Sequence, residues 1–591
     1  MAVAAGVDAE AGGAWLRAAS LREIQARGVV VFTGGDRPIA LFWDGGAVHA
    51  LDNRCPHMGF PLSRGTVADG IVTCHWHHAR FDLRSGCTFD LFSDDAPAYD
   101  ARIEEDAVYV RPRAGADPRA AALRRLREGM ELNVDLVMVK SVLALLQLGV
   151  SPARIVAEAG LFGAENRESF GPGLVILTAM ANVAPLLPRE QAALALCQGV
   201  TRAAADAAGR SPHRLRPPLQ RADIDPDTAT RWLRRWTAAR HADGAERTLQ
   251  TLLASGAGPA AASAAVFGAV TDRIYADAGH ALDFANKAFE LAELVGWGAA
   301  ARILGAAVPT FVPSRGAEES SSWRSPVDLA ALVGAACAEI PAACRAQGGA
   351  RWAGTPEGLA NEVLGDDPAR ILAALLEALR GGARAADIAL AVAQAAALRI
   401  ARFGSSNEFS DWDTALHTFT YSQAVHHAVV RASEPDVLRG AFHGALSVYQ
   451  DRFLNVPPAR LPGPADVADL PADGAALCAA LLQAADTQGG SETAARLTSR
   501  YLDLDLPPEP LLGTLAEMVL REDAAFHTLQ CLEASIRLFR QWDGAPPGRI
   551  ALIALARYGA AHAPTQRAFL QTVTLARRLQ RGEALHEEVA G

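Results

Sequence analysis

Cys55-Pro56-His57-Met58-Gly59 and Cys74-His75-Trp76-His77 are the two stretches on which the reading of this chain turns. They set a C-x-H pair and a C-x-x-H pair with sixteen residues between them. A tight turn presents both side chains of such a pair to one point, so two loops clamp one centre. Two thiolates with two imidazoles suit either a tetrahedral zinc ion or a two-iron centre with the cysteines on one iron and the histidines on the other.

Around these loops the chain reads as short strands. Val29–Phe32, Ile39–Trp43, Ala47–Leu51, Ile71–Cys74, Arg80–Asp82, Ala98–Glu104 and Ala107–Arg111 are rich in Val, Ile and aromatics, and Gly or Asp pairs bound them. That pattern predicts a small all-β domain over residues 14–113, preceded by a tail of residues 1–13. Residues 114–120, with Gly115 and Pro118, read as a linker.

From residue 121 to 591 the apolar residues recur at i, i+3, i+4 and i+7 instead. Leu132–Leu148, Gln191–Gly209, Thr228–Ala254, Ala369–Ala401 and Leu511–Arg540 each predict a helix, with a break near 455–470 at Pro457-Pro458 and Leu461–Pro464. The expected fold class is therefore multidomain α+β, a small all-β domain followed by a large all-α domain.

Each loop contributes one Cys and one His, whereas zinc fingers usually separate the thiolate pair from the imidazole pair. The segment CPHMGFPLSRGTVADGIVTCHWHHARFDLRSG (55–86) resembles the Rieske ferredoxin family, including Phe81-Asp82 and Gly86 after the second loop. The resemblance implies a [2Fe–2S] cluster held by Cys55 and Cys74 on one iron and His57 and His77 on the other. It also implies that Phe60 and Trp76 stand where respiratory Rieske proteins carry a bridging disulfide. The bridge is then absent and the potential lies low in the Rieske range. His75 and His78 read as exposed flanking side chains.

Composition narrows the class. The 591 residues carry 56 Lys+Arg against 66 Asp+Glu, a formal charge of −10, with 50% apolar residues. That leaves ample chain for a buried core and argues against both disorder and nucleic-acid binding. Eight cysteines are too few for a secreted disulfide framework. The first residues lack a basic-then-apolar signal, and runs such as 174–187 fall short of a membrane span, so a soluble, cytoplasmic protein with no membrane partner is expected.

A Rieske centre moves single electrons, so chemistry needs a second site. Rieske oxygenases carry a mononuclear iron on two closely spaced His and a carboxylate, but no H-x₄₋₅-H follows residue 113 and the accompanying strands are missing. This chain is therefore not a standard ring-hydroxylating dioxygenase. Three helical stretches nevertheless hold candidate ligands. His280, Asp283, Lys287 and Glu290 share roughly an 80° arc of one helix. His417 and His427 lie about 80° apart on another, with His426 on its far side. His443 sits between Gly440 and Gly444. Four of the ten histidines after residue 113 fall within 417–443. Together with Glu319–Leu329, these stretches look like a group of bacterial Rieske-plus-helical proteins, a resemblance that implies architecture and no reaction. The paired Glu-x-x-His signature of di-iron bundles is represented only by Glu583–His586.

The expectation is an oxidoreductase in which the cluster relays electrons to a metal site in the helical domain. That site holds a second iron, mono- or dinuclear or as haem, among His280, Asp283, Glu290, His417, His427 and His443, and performs oxygenase or oxidase chemistry on a small organic substrate. No nucleotide-binding motif is present, so an external reductase or ferredoxin supplies electrons. A homo-oligomer is one way to bring a cluster to a site. The alternative is a non-catalytic carrier or redox sensor whose helical domain docks a partner protein.

Overall fold

The computed structural model describes residues 14–35, 37–113, 117–220, 224–346, 351–404, 407–583 and 585. The expected tail 1–13, positions 114–116 of the expected linker, and His586 lie outside them.

Among the described residues nine strands come first along the chain: β1 (Leu16–Ser20), β2 (Val29–Phe32), β3 (Ile39–Asp44), β4 (Ala47–Asp52), β5 (Thr66–Ala68), β6 (Ile71–Thr73), β7 (Arg80–Asp82), β8 (Ala98–Glu104) and β9 (Ala107–Pro112). They build a six-stranded sheet of order β1-β9-β8-β4-β3-β2 and a three-stranded sheet β5-β6-β7. Gly45 and Gly46 take φ values of 56° and 82°, which lets a two-residue turn join β3 to β4 with the twist a hairpin needs. Strand β3 explains why the domain has two cores. Its side chains alternate, sending Ile39 and Leu41 to a cluster with Ile24, Ala50, Val108 and Val110, and Ala40 and Phe42 to the other face. That second core contains Leu51, Leu62, Val72 and Phe81, and also Cys55 and Cys74. Strand β1, the short helix Leu21–Arg27 and strand β5 carry too little alternation to be read from the sequence.

From Pro118 onward every regular element among the described residues is helical. Three expected helices are each two. Thr228–Ala254 breaks at Arg240, whose φ is 53°, into Pro226–Ala238 and Ala242–Ala254. The expected helix 369–401 breaks at Gly381-Gly382 into Pro368–Arg380 and Ala385–Ala401, and 511–540 into Pro508–Leu520 and Phe526–Gln541. In each case the apolar period continues across the break, so periodicity alone hides it. Around 455–470 the only regular element is the 3₁₀ turn Pro464–Asp466.

The chain divides into two compact units: residues 1–151 with 571–591, and residues 152–570. The first therefore includes the helices Pro118–Leu132 and Asp135–Gln147 as well as the strands, beyond the strand-to-helix change at 114–120. In the second, Leu329–Ala346 (mean hydropathy 1.4) is long and apolar enough to cross a membrane. It packs against the helices Pro368–Arg380 and Pro435–Asp451 of the same unit.

Candidate functional site

The two loops at the head of the β domain share one construction. In the first, the Cys55 N–H donates to the Phe60 carbonyl (2.8 Å) and the Cys55 carbonyl accepts from Gly59 N–H (2.7 Å). In the second, Cys74 N–H donates to the Ala79 carbonyl (2.8 Å) and its carbonyl accepts from His78 N–H (3.0 Å). The fifth residue of each turn is left-handed, Gly59 at φ 81° and His78 at φ 61°. Gly59 is also the point approached by Leu579 and Glu583, where a Cβ would lie 3.6 Å from the leucine. The flanking His75 is tied by its Nε2 to the Thr66 hydroxyl at 2.5 Å.

This construction brings together the four side chains expected as ligands. Cys55 and Cys74 are 2% and 1% exposed, and a hydrogen bond between their thiols raises Cys55 and lowers Cys74 to about 6. The N–H groups of His57 and Met58 point at the Cys55 sulfur, and those of Trp76 and His77 at the Cys74 sulfur. Such bonds favour thiolates and tune a bound cluster. The His57 and His77 rings stand 4.8 Å apart at 87°. His57 Nδ1 is buried with no hydrogen-bond partner, and burial lowers the imidazole to about 4. An orphaned, neutral imidazole nitrogen beside a thiol pair fits a [2Fe–2S] cluster with Cys₂ and His₂ ligation. The Phe60 and Trp76 rings are 6.0 Å apart, an apolar contact where the resemblance places a disulfide in other Rieske proteins.

A second layer holds the first loop from behind. Lys140, on the helix Asp135–Gln147, donates from Nζ to the Pro56 carbonyl at 2.8 Å and also pairs with Asp94. Arg125 Nε reaches Asp94 at 2.8 Å, and its Nη2 reaches the Leu91 carbonyl at 2.7 Å. Burial pushes the Asp94 carboxyl up, but the two cations outweigh it and hold it below its ordinary value. A cavity of about 450 Å³ lies beside Cys55 and Pro56, lined by this group together with Arg37, Arg54 and Leu579.

A family model described as "Rieske [2Fe-2S] domain" matches residues 14–95. Through this domain the chain belongs to the Rieske [2Fe–2S] family. The chain is 38% identical over 88 residues to human "Apoptosis-inducing factor 3", a match covering 15% of this chain and 14% of that protein. It is 31% identical over 100 residues to the ferredoxin component of the naphthalene 1,2-dioxygenase/salicylate 5-hydroxylase systems of Ralstonia sp, covering 16% of this chain and 94% of the ferredoxin. Among solved structures it is similar to the ferredoxin of carbazole 1,9a-dioxygenase from Nocardioides aromaticivorans IC177, at 25% identity and a TM-score of 0.16, over 17% of this chain and all of that one. The Rieske domain has an electron-transfer role, and its relatives include parts of oxygenase systems.

Beyond the Rieske domain, the helical unit sorts the candidate ligands into separate layers. Three helices, His280–Val295, Phe409–Arg431 and Phe526–Gln541, keep a constant register. Asp283 accepts from Gln530 at 2.7 Å and Glu290 from Arg537 at 2.7 Å, both 247 residues apart. His280 and His527 have the same separation and stack at 5.4 Å. His417 meets both, with ring centroids 4.7 Å from His280 and 4.2 Å from His527. The first layer is thus three imidazoles, of which His527 stood outside the candidate set.

About ten residues, or roughly 15 Å, further along these helices lies a layer of buried charge. Lys287 Nζ pairs with Glu290 (2.9 Å) and Glu533 (2.7 Å), and Arg537 with Glu290 and Glu533 (2.7 and 2.8 Å). Asn182 donates to both carboxylates, and His427 Nδ1 lies 3.1 Å from Glu290. Burial pushes Glu290 and Glu533 up, yet the cations hold both below their ordinary value. Asp283 lies between the layers, and burial raises it to about 6. His443 is elsewhere, buried 4.0 Å from the Cys337 sulfur. The six sequence candidates therefore do not converge. His280 and His417 meet, Glu290 and His427 belong to the charge layer, and Asp283 and His443 stand apart.

Proposed function

We propose that the protein is an oxidoreductase whose Rieske domain takes electrons singly from an external reductase or ferredoxin. It passes them to a catalytic metal centre in the helical unit, where oxygenase or oxidase chemistry acts on a small organic substrate. When bound, the [2Fe–2S] cluster supplies one-electron exchange at low potential. The chain's own residues do the rest. Cys55 and Cys74 keep the sulfur side dry, and His77 brings an exposed imidazole to the surface.

The observation that carries the electron-exchange reading is the rim around that imidazole. Trp76, its ring 4.7 Å from His77, and Phe92, its ring 4.9 Å from His57, are each 37% exposed, and Phe89 and Leu91, close to Phe92 in the chain, are 57% and 60% exposed. Exposed apolar side chains beside a redox edge suit brief, desolvating contact with a donor or acceptor protein. Oxygenase-system ferredoxins among the relatives support this class of partner. The same rim also supports the second reading, a carrier that gives its electron to another enzyme. Eight cysteines in 591 residues, two of them assigned to the cluster, suit a reducing, cytoplasmic setting.

An anaerobic reductive titration of the purified full chain separates the two. Uptake of more than one electron per chain is expected, because the cluster takes one and the helical unit holds a further acceptor. Uptake of a single electron would overturn the relay and leave the carrier.

A further inference from the structure

We infer that His280, His417 and His527 form a transition-metal site in the helical unit, a face of three imidazoles with the remaining coordination positions open. The inference deepens the proposed relay by naming its receiving centre. The site itself stands on geometry that does not depend on the Rieske domain.

The three residues come from three helices, and their ligand nitrogens all lie within 4.8 Å of one another. An ion held at 2.0–2.1 Å by tetrahedrally disposed nitrogens spaces them about 3.3–3.4 Å apart. Modest ring rotations therefore close the triangle. His527 Nδ1 is buried and has no hydrogen-bond partner. Buried imidazole nitrogens are ordinarily satisfied, so an orphan on a ring that meets two further imidazoles points to a missing ligand. Burial disfavours the charged form of all three rings.

The backbone is committed to placing His280. Tyr275, Asp277, Ala278 and Gly279, just before it, all have positive φ (43°, 52°, 51° and 93°). Asp277 N–H donates to the Arg315 carbonyl at 2.8 Å, and Ile274 N–H to the Glu318 carboxylate at 2.9 Å. At Gly279 a Cβ would lie 3.0 Å from the Cβ of Tyr421, one turn after His417. Glycine thus lets the head of one ligand helix press against the other.

The donor set chooses the ion. Three imidazoles without carboxylate or carbonyl oxygen suit iron, copper, nickel or zinc and disfavour magnesium and calcium. His280 and His417 are only partly buried, so water or a small ligand reaches the open positions. Phe284 and Phe526 flank His280 at 5.1 and 5.9 Å and make the approach apolar.

The test is elemental analysis of the purified full chain, with cobalt(II) absorption after removal and replacement of the loosely held metal. A transition ion beyond the two cluster irons is expected, with a visible cobalt band of low-coordinate type. His417→Ala and His527→Gln should each abolish both signals while the Rieske EPR signal persists, which shows that the variants fold. His443→Ala should leave both intact. Two irons per chain with no cobalt band, or a third ion that survives both substitutions, would overturn the site. Zinc in the site with uptake of one electron would keep the site and overturn the relay.

Discussion

His280 and His527 stack with their ring centroids 5.4 Å apart and their planes 15° from parallel. Their separation of 247 residues is also that of Asp283–Gln530 and Glu290–Arg537. The offset between His280 and His417 is likewise that between Glu290 and His427, so three parallel helices share one ladder. Its rungs differ in chemistry: neutral imidazoles at one end, and ion pairs about 15 Å along the axis.

The charged rung gives a stability prediction. Lys287 bridges Glu290 and Glu533, all three 3–4% exposed. Lys287→Met leaves two buried carboxylates to Arg537, and breaking such a pair costs about 3–5 kcal/mol. The sign with pH follows from the shifts. Glu290 and Glu533 lie below their ordinary value when folded, so their contribution is present above about pH 4.3 and is lost as pH falls through the folded values. Lys287 is raised, so its contribution is lost only as pH climbs beyond about 10.4. Urea unfolding at pH 7 should show the full loss, and the gap between variant and parent should narrow in acid.

The strained turn before His280 gives a second prediction. Ala278 is exposed with φ 51°, a conformation costing about 1–2 kcal/mol for a residue with a Cβ. Ala278→Gly removes that cost but adds freedom to the unfolded chain worth about 0.4–1 kcal/mol. A net gain of roughly 0.5–1 kcal/mol should appear in thermal or denaturant unfolding.

These cases show which features the sequence made legible. The Cys55–His57 and Cys74–His77 loops were readable because each Cys–His pair sits within one turn, so local spacing determines geometry. The change from strands to helices was readable because the apolar period changes. The cluster of three helical imidazoles was only half readable. Projecting His417 and His427, or His280 and Glu290, onto a helical wheel shows a shared side but omits the rise of about 15 Å over ten residues, which sends the pairs to different rungs. His527 follows Phe526 at a helix start, 110 residues beyond His417. No local pattern connects it to the others. The signal was the repeated offset of 247 residues, visible only once the helices are paired.

A buried carboxyl provides a pH test with the opposite sign. Asp451 is 3% exposed and its Oδ2 has no partner. Burial lifts it to about 7 against the Thr418 hydroxyl and Arg399, with Tyr275 also nearby. Between about pH 4 and 7 the folded chain keeps a proton that the unfolded chain releases, so the parent loses stability as pH rises through that window. Asp451→Asn should therefore match the parent near pH 4 and exceed it at pH 8 by on the order of 2–4 kcal/mol. Paired urea titrations at the two pH values check both the sign and the window.

The last prediction concerns the Rieske domain itself. Lys140 places an ammonium 2.8 Å from the carbonyl of Pro56, the residue between Cys55 and His57. Reduction adds negative charge to the cluster, so a nearby fixed cation favours the reduced state. Lys140→Met removes that charge and leaves Asp94, its partner, balanced by Arg125 alone. Both changes lower the midpoint potential. For a one-electron couple about 59 mV corresponds to tenfold in equilibrium, so a downward shift of several tens of millivolts is readily measured. Lys140→Arg keeps the charge and should hold the potential near the parent value. Spectroelectrochemical titration of the three proteins distinguishes a charge effect, which follows the cation, from loop loosening, which would move both variants together.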